Sequence, residues 1–282
     1  MPRSIATPAA AGHELRYDGK TFDQWVTELS TELSPAKRKD AMDAMGEFAV
    51  NGLGTQAATA IFDTMQGYSV LSYDNSPEGT LKYAAIKSAM RVPAQQLAPV
   101  VSKALASGNK NQRVFALSVI PLGEETKEAL IPLLVAALDD GDRQVVGLAR
   151  LSLAVLDHDN PVLIASLRQA LSGKSLDDVY NAVRIIPGGS RNGSPDPNGP
   201  QIRTYVELVP EALALLNHQD EQIQRAAINW LTSSTTSAYV EALEGLISGN
   251  GPQAANARKV LDQIPPRQPL RIQSSQILKS VP

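Results

Sequence analysis

LDDGDRQVVGLARLSLAVL, residues 138–156, decides how this chain is read. One helix closes on Leu138, an acidic turn follows, and a second helix starts near Asp142. In that second helix Val145, Leu148, Ala149, Ser152, Leu153 and Leu156 fall at i, i+3, i+4, i+7, i+8 and i+11, the spacing of one helical face. The unit is helix, turn, helix, and alone it has nowhere to bury that face.

The chain repeats the unit. A twelve-residue window that opens on the last Leu of the first helix and closes on a small Ala in the second recurs at 105–116, 138–149, 171–182, 216–227 and 246–257. Successive leucines stand 33, 33, 45 and 30 positions apart, a period that marks a helical solenoid. The one long interval holds PGGSRNGSPDPNGP, residues 187–200, which supplies the extra length as a loop. Columns beyond the Ala agree as well. Three positions on stand Val119, Ser152, Ile185, Trp230 and Val260; four positions on stand Ile120, Leu153, Ile186, Leu231 and Leu261. These predict the core.

Length and composition fit that reading. A repeat array grows by addition, so 282 residues make one elongated domain with no single large core. Apolar residues at 43% with aromatics at only 5% suit helices packed closely through Ala and Leu. A net charge of −3 lowers the expectation of a nucleic-acid partner, which a strongly basic domain would have raised. With no cysteine there is no disulfide, thiolate metal site or cysteine nucleophile.

In chain order, residues 1–16 begin MPRSIATPAAAG and read as a flexible leader without the apolar core of a signal peptide. No run approaches the roughly 20 apolar residues that span a bilayer, so the expectation is a soluble, cytoplasmic protein, with export of a longer precursor left open. Residues 17–264 are the repeat domain. Asp18 and Gly19 favour a turn, Thr21 caps a helix, and Phe22, Trp25, Val26 and Leu29 form its buried face, with Trp25 closing one end of the array. Ser34 and Pro35 open the next helix, with Pro in the first helical position. A second, divergent repeat spans 51–90, with GYSVLSYDNSPEGT, residues 67–80, as a long loop inside it. Pro99 sits in the first turn of the third repeat, and Asn160 with Pro161 starts the fifth. Residues 265–282 form a proline-containing tail with Arg267, Arg271 and Lys279 and no acidic side chain.

IPLLVAALDDGDRQVVGLA resembles the HEAT-repeat pattern, an apolar first helix with Pro and Leu pairs, an acidic turn, and a second helix bearing Val, Arg and Ala. The short period is similar to the HEAT-like repeats of phycobilisome-lyase proteins. The resemblance covers residues 22–264 and implies an all-α, right-handed α–α superhelix, a solenoid of about seven HEAT-like helix pairs. The family's Arg in the second helix is present as Arg38 and Arg113, whereas Val146, Val179, Gln224 and Ala254 hold that column later, so packing must carry most of the stacking.

Chemistry is sparse. His158 between Asp157 and Asp159 is the sharpest local candidate, but a solvated turn rich in capping residues explains it as well; His13 and His218 stand apart. There is no HExxH, nucleophile elbow or GxxxxGK[ST]. No catalytic residue, metal site or cofactor is expected. Asn192, Gly193 and Ser194 form a formal glycosylation acceptor inside the 187–200 loop, itself either a contact element or a neutral insertion.

What remains is surface. In such an array the second helices line the concave side. Two positions after each Ala stand Ser118, Leu151, Arg184, Asn229 and Lys259; two before it stand Val114, Gly147, Tyr180, Arg225 and Ala255. The two columns are four apart and share a face. Tyr180, Arg184, Arg225, Asn229 and Lys259 thus make a basic and aromatic strip able to hold an acidic or extended peptide, the alternative being a plain solvated face. Two functions compete: a monomeric, non-catalytic scaffold for a protein partner of unknown identity, and a HEAT-like nucleic-acid-binding or base-repair protein. A lyase-like enzyme rests on the resemblance alone.

Overall fold

A computed structural model describes residues 15–68, 76–121, 124–173, 175–185, 205–233 and 237–264. The 1–14 part of the leader, the 187–200 loop with its Asn192 triplet, residues 69–75, His13 and the 265–282 tail lie outside them.

Local sequence fixes where the helices begin. Thr21 and Asn109 form reciprocal capping boxes with Gln24 and Gln112. Asp142 and Asn160 each accept two backbone N–H groups, while Pro35, Pro77 and Pro161 stand where a missing N–H costs nothing. Ahead of the first helix, Arg16–Tyr17 (β1) pairs antiparallel with Lys20–Thr21 (β2). Asp18 and Gly19 between them both adopt positive φ, 48° and 77°, as a two-residue hairpin turn requires. The sequence predicted the turn but not the strands.

The helices are α1 Phe22–Thr31, α2 Pro35–Phe48, α3 Gly54–Met65, α4 Pro77–Ala89, α5 Ala94–Ser107, α6 Lys110–Val119 and α7 Glu124–Ala137. They continue as α8 Arg143–Leu156, α9 Pro161–Leu171, α10 Leu176–Ile185, α11 Val209–Ala214, α12 Glu221–Ser233, α13 Ser237–Ser248 and α14 Ala254–Leu261. Each odd-numbered helix packs on the even-numbered one that follows. The even-numbered helices also pack on one another in unbroken order from α2 to α14. On the other side α1, α3, α5 and α7 follow one another, as do α9, α11 and α13. This is an all-α, two-layered array of seven helix pairs among the described residues.

The expected columns are buried. Ala116, Ala149, Ala182, Ala227 and Ala257 have no exposed surface, and Val119, Ser152, Ile185 and Val260 lie beside them in the core. Leu105, Leu138, Leu171 and Leu216 close their first helices from inside. In the last pair the equivalents Leu246 and Leu261 are only half-buried and pack from the edge, since no described pair follows to cover them.

Pro99 departs from its expected place. Helix α5 starts at Ala94, which puts Pro99 in the interior, and Pro132 has the same place in α7. Pro210 stands equally far before its turn Leu, and there the first helix begins as a 3-10 turn at Val206–Leu208. Pro99 and Pro132 each remove one backbone hydrogen bond from the interior of their helix, whereas Pro210 stands at the start of α11, where a missing N–H costs little.

Candidate binding face

Stacked second helices present one ridge each to solvent, and the side chains on those ridges are what a partner would meet. Tyr180 on α10 is 47% exposed. Arg225 on α12 is exposed and holds Glu221 at 2.8 Å; Asn229, one turn on, and Lys259 on α14 are exposed too. Arg184 lies one turn beyond Tyr180 on α10; only its place on the helix is described. Since α10, α12 and α14 pack in sequence, the five expected residues share one layer.

Towards the N-terminal end the face differs from the expectation. Val114 was expected on the ridge but is buried at 1% exposure. On the same helix Phe115 packs edge-on against Phe62 of α3, ring centroids 4.8 Å apart, which seats α6 deep between its neighbours. Ser118 and Leu151 are half-buried and Gly147 has no side chain, so the middle of the layer is low.

Two residues of the same ridge escaped the sequence reading. Ala85 is the buried alanine of α4, which places Tyr83 two before it and Lys87 two after it. Tyr83 is 63% exposed and Met90, at the helix end, 70%. The signal was hidden because Ser76, the cap of α4, stands nine residues before its alanine, whereas Asn109 and Asp142 stand seven before theirs. The same register puts Lys82, buried at 2%, in the column of Arg38 and Arg113.

That column is used unevenly. Arg113 sets Nε 2.7 Å from Asp140 in the turn of the next pair. Arg38 instead donates to the Leu29 carbonyl at 3.2 Å and to the Tyr68 hydroxyl, at the edge of a cleft of about 660 Å³ between α1 and α3. Among the later residues, Val146 and Val179 are buried, and Gln224 turns back to the His218 carbonyl.

Charge is divided between the layers. The seven second helices carry thirteen Lys and Arg against seven Asp and Glu, a balance of +6. The seven first helices carry three against nine, a balance of −6. The two layers of a chain of net charge −3 therefore carry opposite balances, Lys82 and Arg150 of the second layer being buried.

The two described histidines take up turn geometry. His158 Nδ1 lies 2.9 Å from Asp159 in an exposed turn, and His218 Nδ1 accepts the Asp220 N–H at 3.0 Å. No group of three or more His, Asp or Glu suited to a metal ion occurs among the described residues. Nor, among them, is any helix long and apolar enough to cross a membrane.

No protein-family model and no curated protein matches the chain. Solved structures with a similar arrangement include the archaeal HEAT-like repeats protein from Thermococcus onnurineus NA1, which aligns over 87% of this chain and 97% of its own at 16% identity with a TM-score of 0.41. An engineered protein aligns over 88% of this chain and 69% of its own at 18% identity and a TM-score of 0.38. A designed armadillo repeat protein aligns over 86% and 99%, at 18% identity and a TM-score of 0.28.

Proposed function

We propose that the chain is a non-catalytic helical-repeat scaffold that holds a protein or peptide partner on the layer of second helices, the concave side of the array. The division of charge between the layers carries this reading. Packing alone does not call for a balance of +6 in one layer and −6 in the other, and a layer with a basic balance suits a partner of opposite sign.

A nucleic acid is the other anionic partner such a face suggests. The mixed character of the layer favours polypeptide. Lys39 is paired with Asp43, Lys110 with Asp142 and Arg225 with Glu221, while Tyr83, Met90, Leu176 and Tyr180 are exposed between them. A polyphosphate calls for unpaired cations in a row.

Panning a random display library of about twelve-residue peptides against the purified chain tests the reading. Enriched peptides should bind the wild type and lose binding to an Arg225→Glu/Lys259→Glu double variant whose circular dichroism is unchanged. Failure to enrich any peptide, or equal binding to the double variant, would count against it.

A further inference from the structure

Between α4 and α10 the layer has the form of two posts and a floor. Tyr83 and Tyr180 occupy the same position in their helices and stand 63% and 47% exposed. The two helices between them contribute Val114, buried, and Gly147 at that position, so nothing projects. Gly147 is also where α8 and α10 come close, since a β-carbon there would lie 3.1 Å from Asn181 Nδ2. Along one side of this floor run Lys110 and Arg143, with side chains 51% and 68% exposed; Lys110 lies 2.7 Å from Asp142 and Arg143 4.0 Å from Asp178, so each shares its charge with an acid beside it. Along the other run Lys87 and the half-buried Ser118 and Leu151. Helices α4, α6, α8 and α10 together carry seven Lys and Arg against three Asp and Glu, with Lys82 and Arg150 of the seven buried.

We propose that this span seats an extended acidic segment of about nine residues, with an apolar side chain at each end against Tyr83 and Tyr180 and carboxylates between them facing Lys87 and Arg143. The inference rests on the scaffold reading above and names the partner's chemistry. Three helix-to-helix steps of about 8–10 Å separate the two tyrosines, roughly 24–30 Å in all. An extended chain rises about 3.3 Å per residue, so about eight residue steps cover that distance. A helix would be about 10 Å wide and would leave the low floor unfilled, whereas an extended backbone passes between the two tyrosines close over Gly147, where no side chain stands. Exposed aromatics surrounded by cations are the anchors that interfaces use most, with the cations supplying steering and register.

Fluorescence anisotropy with a labelled nine-residue peptide, Leu at both ends and Glu and Ser between, is the direct test. The peptide should bind at least about tenfold more tightly than its lysine-for-glutamate counterpart and than an isomer with the two leucines four residues apart. Tyr83→Ala, Tyr180→Ala and Arg143→Glu should each weaken it about tenfold with unchanged circular dichroism, all three side chains being exposed. Equal binding of the acidic and basic peptides, indifference to the tyrosine variants, or displacement by a nine-nucleotide single-stranded DNA at lower concentration would overturn the proposal. The library separates the two readings: enrichment of peptides of other composition leaves the scaffold and removes the acidic segment, whereas no enrichment removes both.

Discussion

Two neighbouring seams of the array stack their helix pairs with different chemistry. Where the third pair meets the fourth, Arg113 reaches Asp140 through Nε at 2.7 Å and through a terminal nitrogen at 3.0 Å, and Lys110 meets Asp142 at 2.7 Å. Where the fourth meets the fifth, Arg150, only 5% exposed, donates to Ser166 Oγ at 2.8 Å and lies 3.7 Å from Asp178. One period on from Arg113 and Asp140 stand Val146 and Gly173, so both partners of the first rung are missing. The cation reappears one helical turn later as Arg150, and the acid enters from the first turn of α10. The first seam keeps its charges near water, where they gain little and cost little. The second takes a guanidinium out of water: burial lowers the Arg150 pKa, and Asp178 only partly restores it.

Leu153, fully buried on α8, belongs to the helix that both seams share. Leu153→Asp places an unpaired charge there and should cost more than about 4 kcal/mol, abolishing the cooperative melting transition seen by circular dichroism. A melting curve like that of the wild type would mean that the seams do not meet on this helix.

Asp178→Ala separates the seams more finely. It leaves Arg150 buried with Ser166 alone and should cost about 2–4 kcal/mol in denaturant unfolding, little changed by salt. Arg113→Ala should cost about 1 kcal/mol, and that loss should shrink in about 1 M salt, where charges near the surface are screened. Equal costs with equal salt dependence would erase the distinction between the seams.

The smallest effect is in acid. Burial raises the Asp142 pKa, but the Lys110 hydrogen bond, the Gln144 and Val145 N–H groups and the Lys110 charge outweigh it and hold the carboxyl below its usual value. A depressed carboxyl adds stability above its unfolded pKa and loses it as pH falls through the folded one. Asp142→Asn should therefore flatten part of the stability loss below about pH 4 while leaving the salt response of the Arg150 seam unchanged.

The columns were legible because a solenoid writes the same contact many times. Ala at the helix crossing, Leu before the turn and Asn or Asp at the cap recur at fixed spacing, and each repeat checks the others. What was not legible occurs once. Arg150 sits one residue beyond the buried Ala149 and reads as a surface residue until Ser166 and Asp178 are brought to it by folding. Tyr83 was lost because α4 starts a half-turn early relative to its core alanine, which breaks the register that the other pairs share. Val114 fell on the expected face by spacing, yet the Phe62–Phe115 contact sets its helix too deep for exposure. Of the face itself, the C-terminal strip was visible as residue types, whereas the opposed charge of the two layers emerges only once helices are assigned to layers.

The chain has no cysteine, so a Tyr83→Cys/Tyr180→Cys variant carries two spin labels and no others. Pulsed electron-electron resonance between them reads the distance across four consecutive second helices. The stacked array predicts one narrow distribution centred near 24–30 Å, widened by about the length of the label arms. A centre beyond about 45 Å, or several separated distances, would contradict consecutive stacking of the pairs and with it the face built upon them.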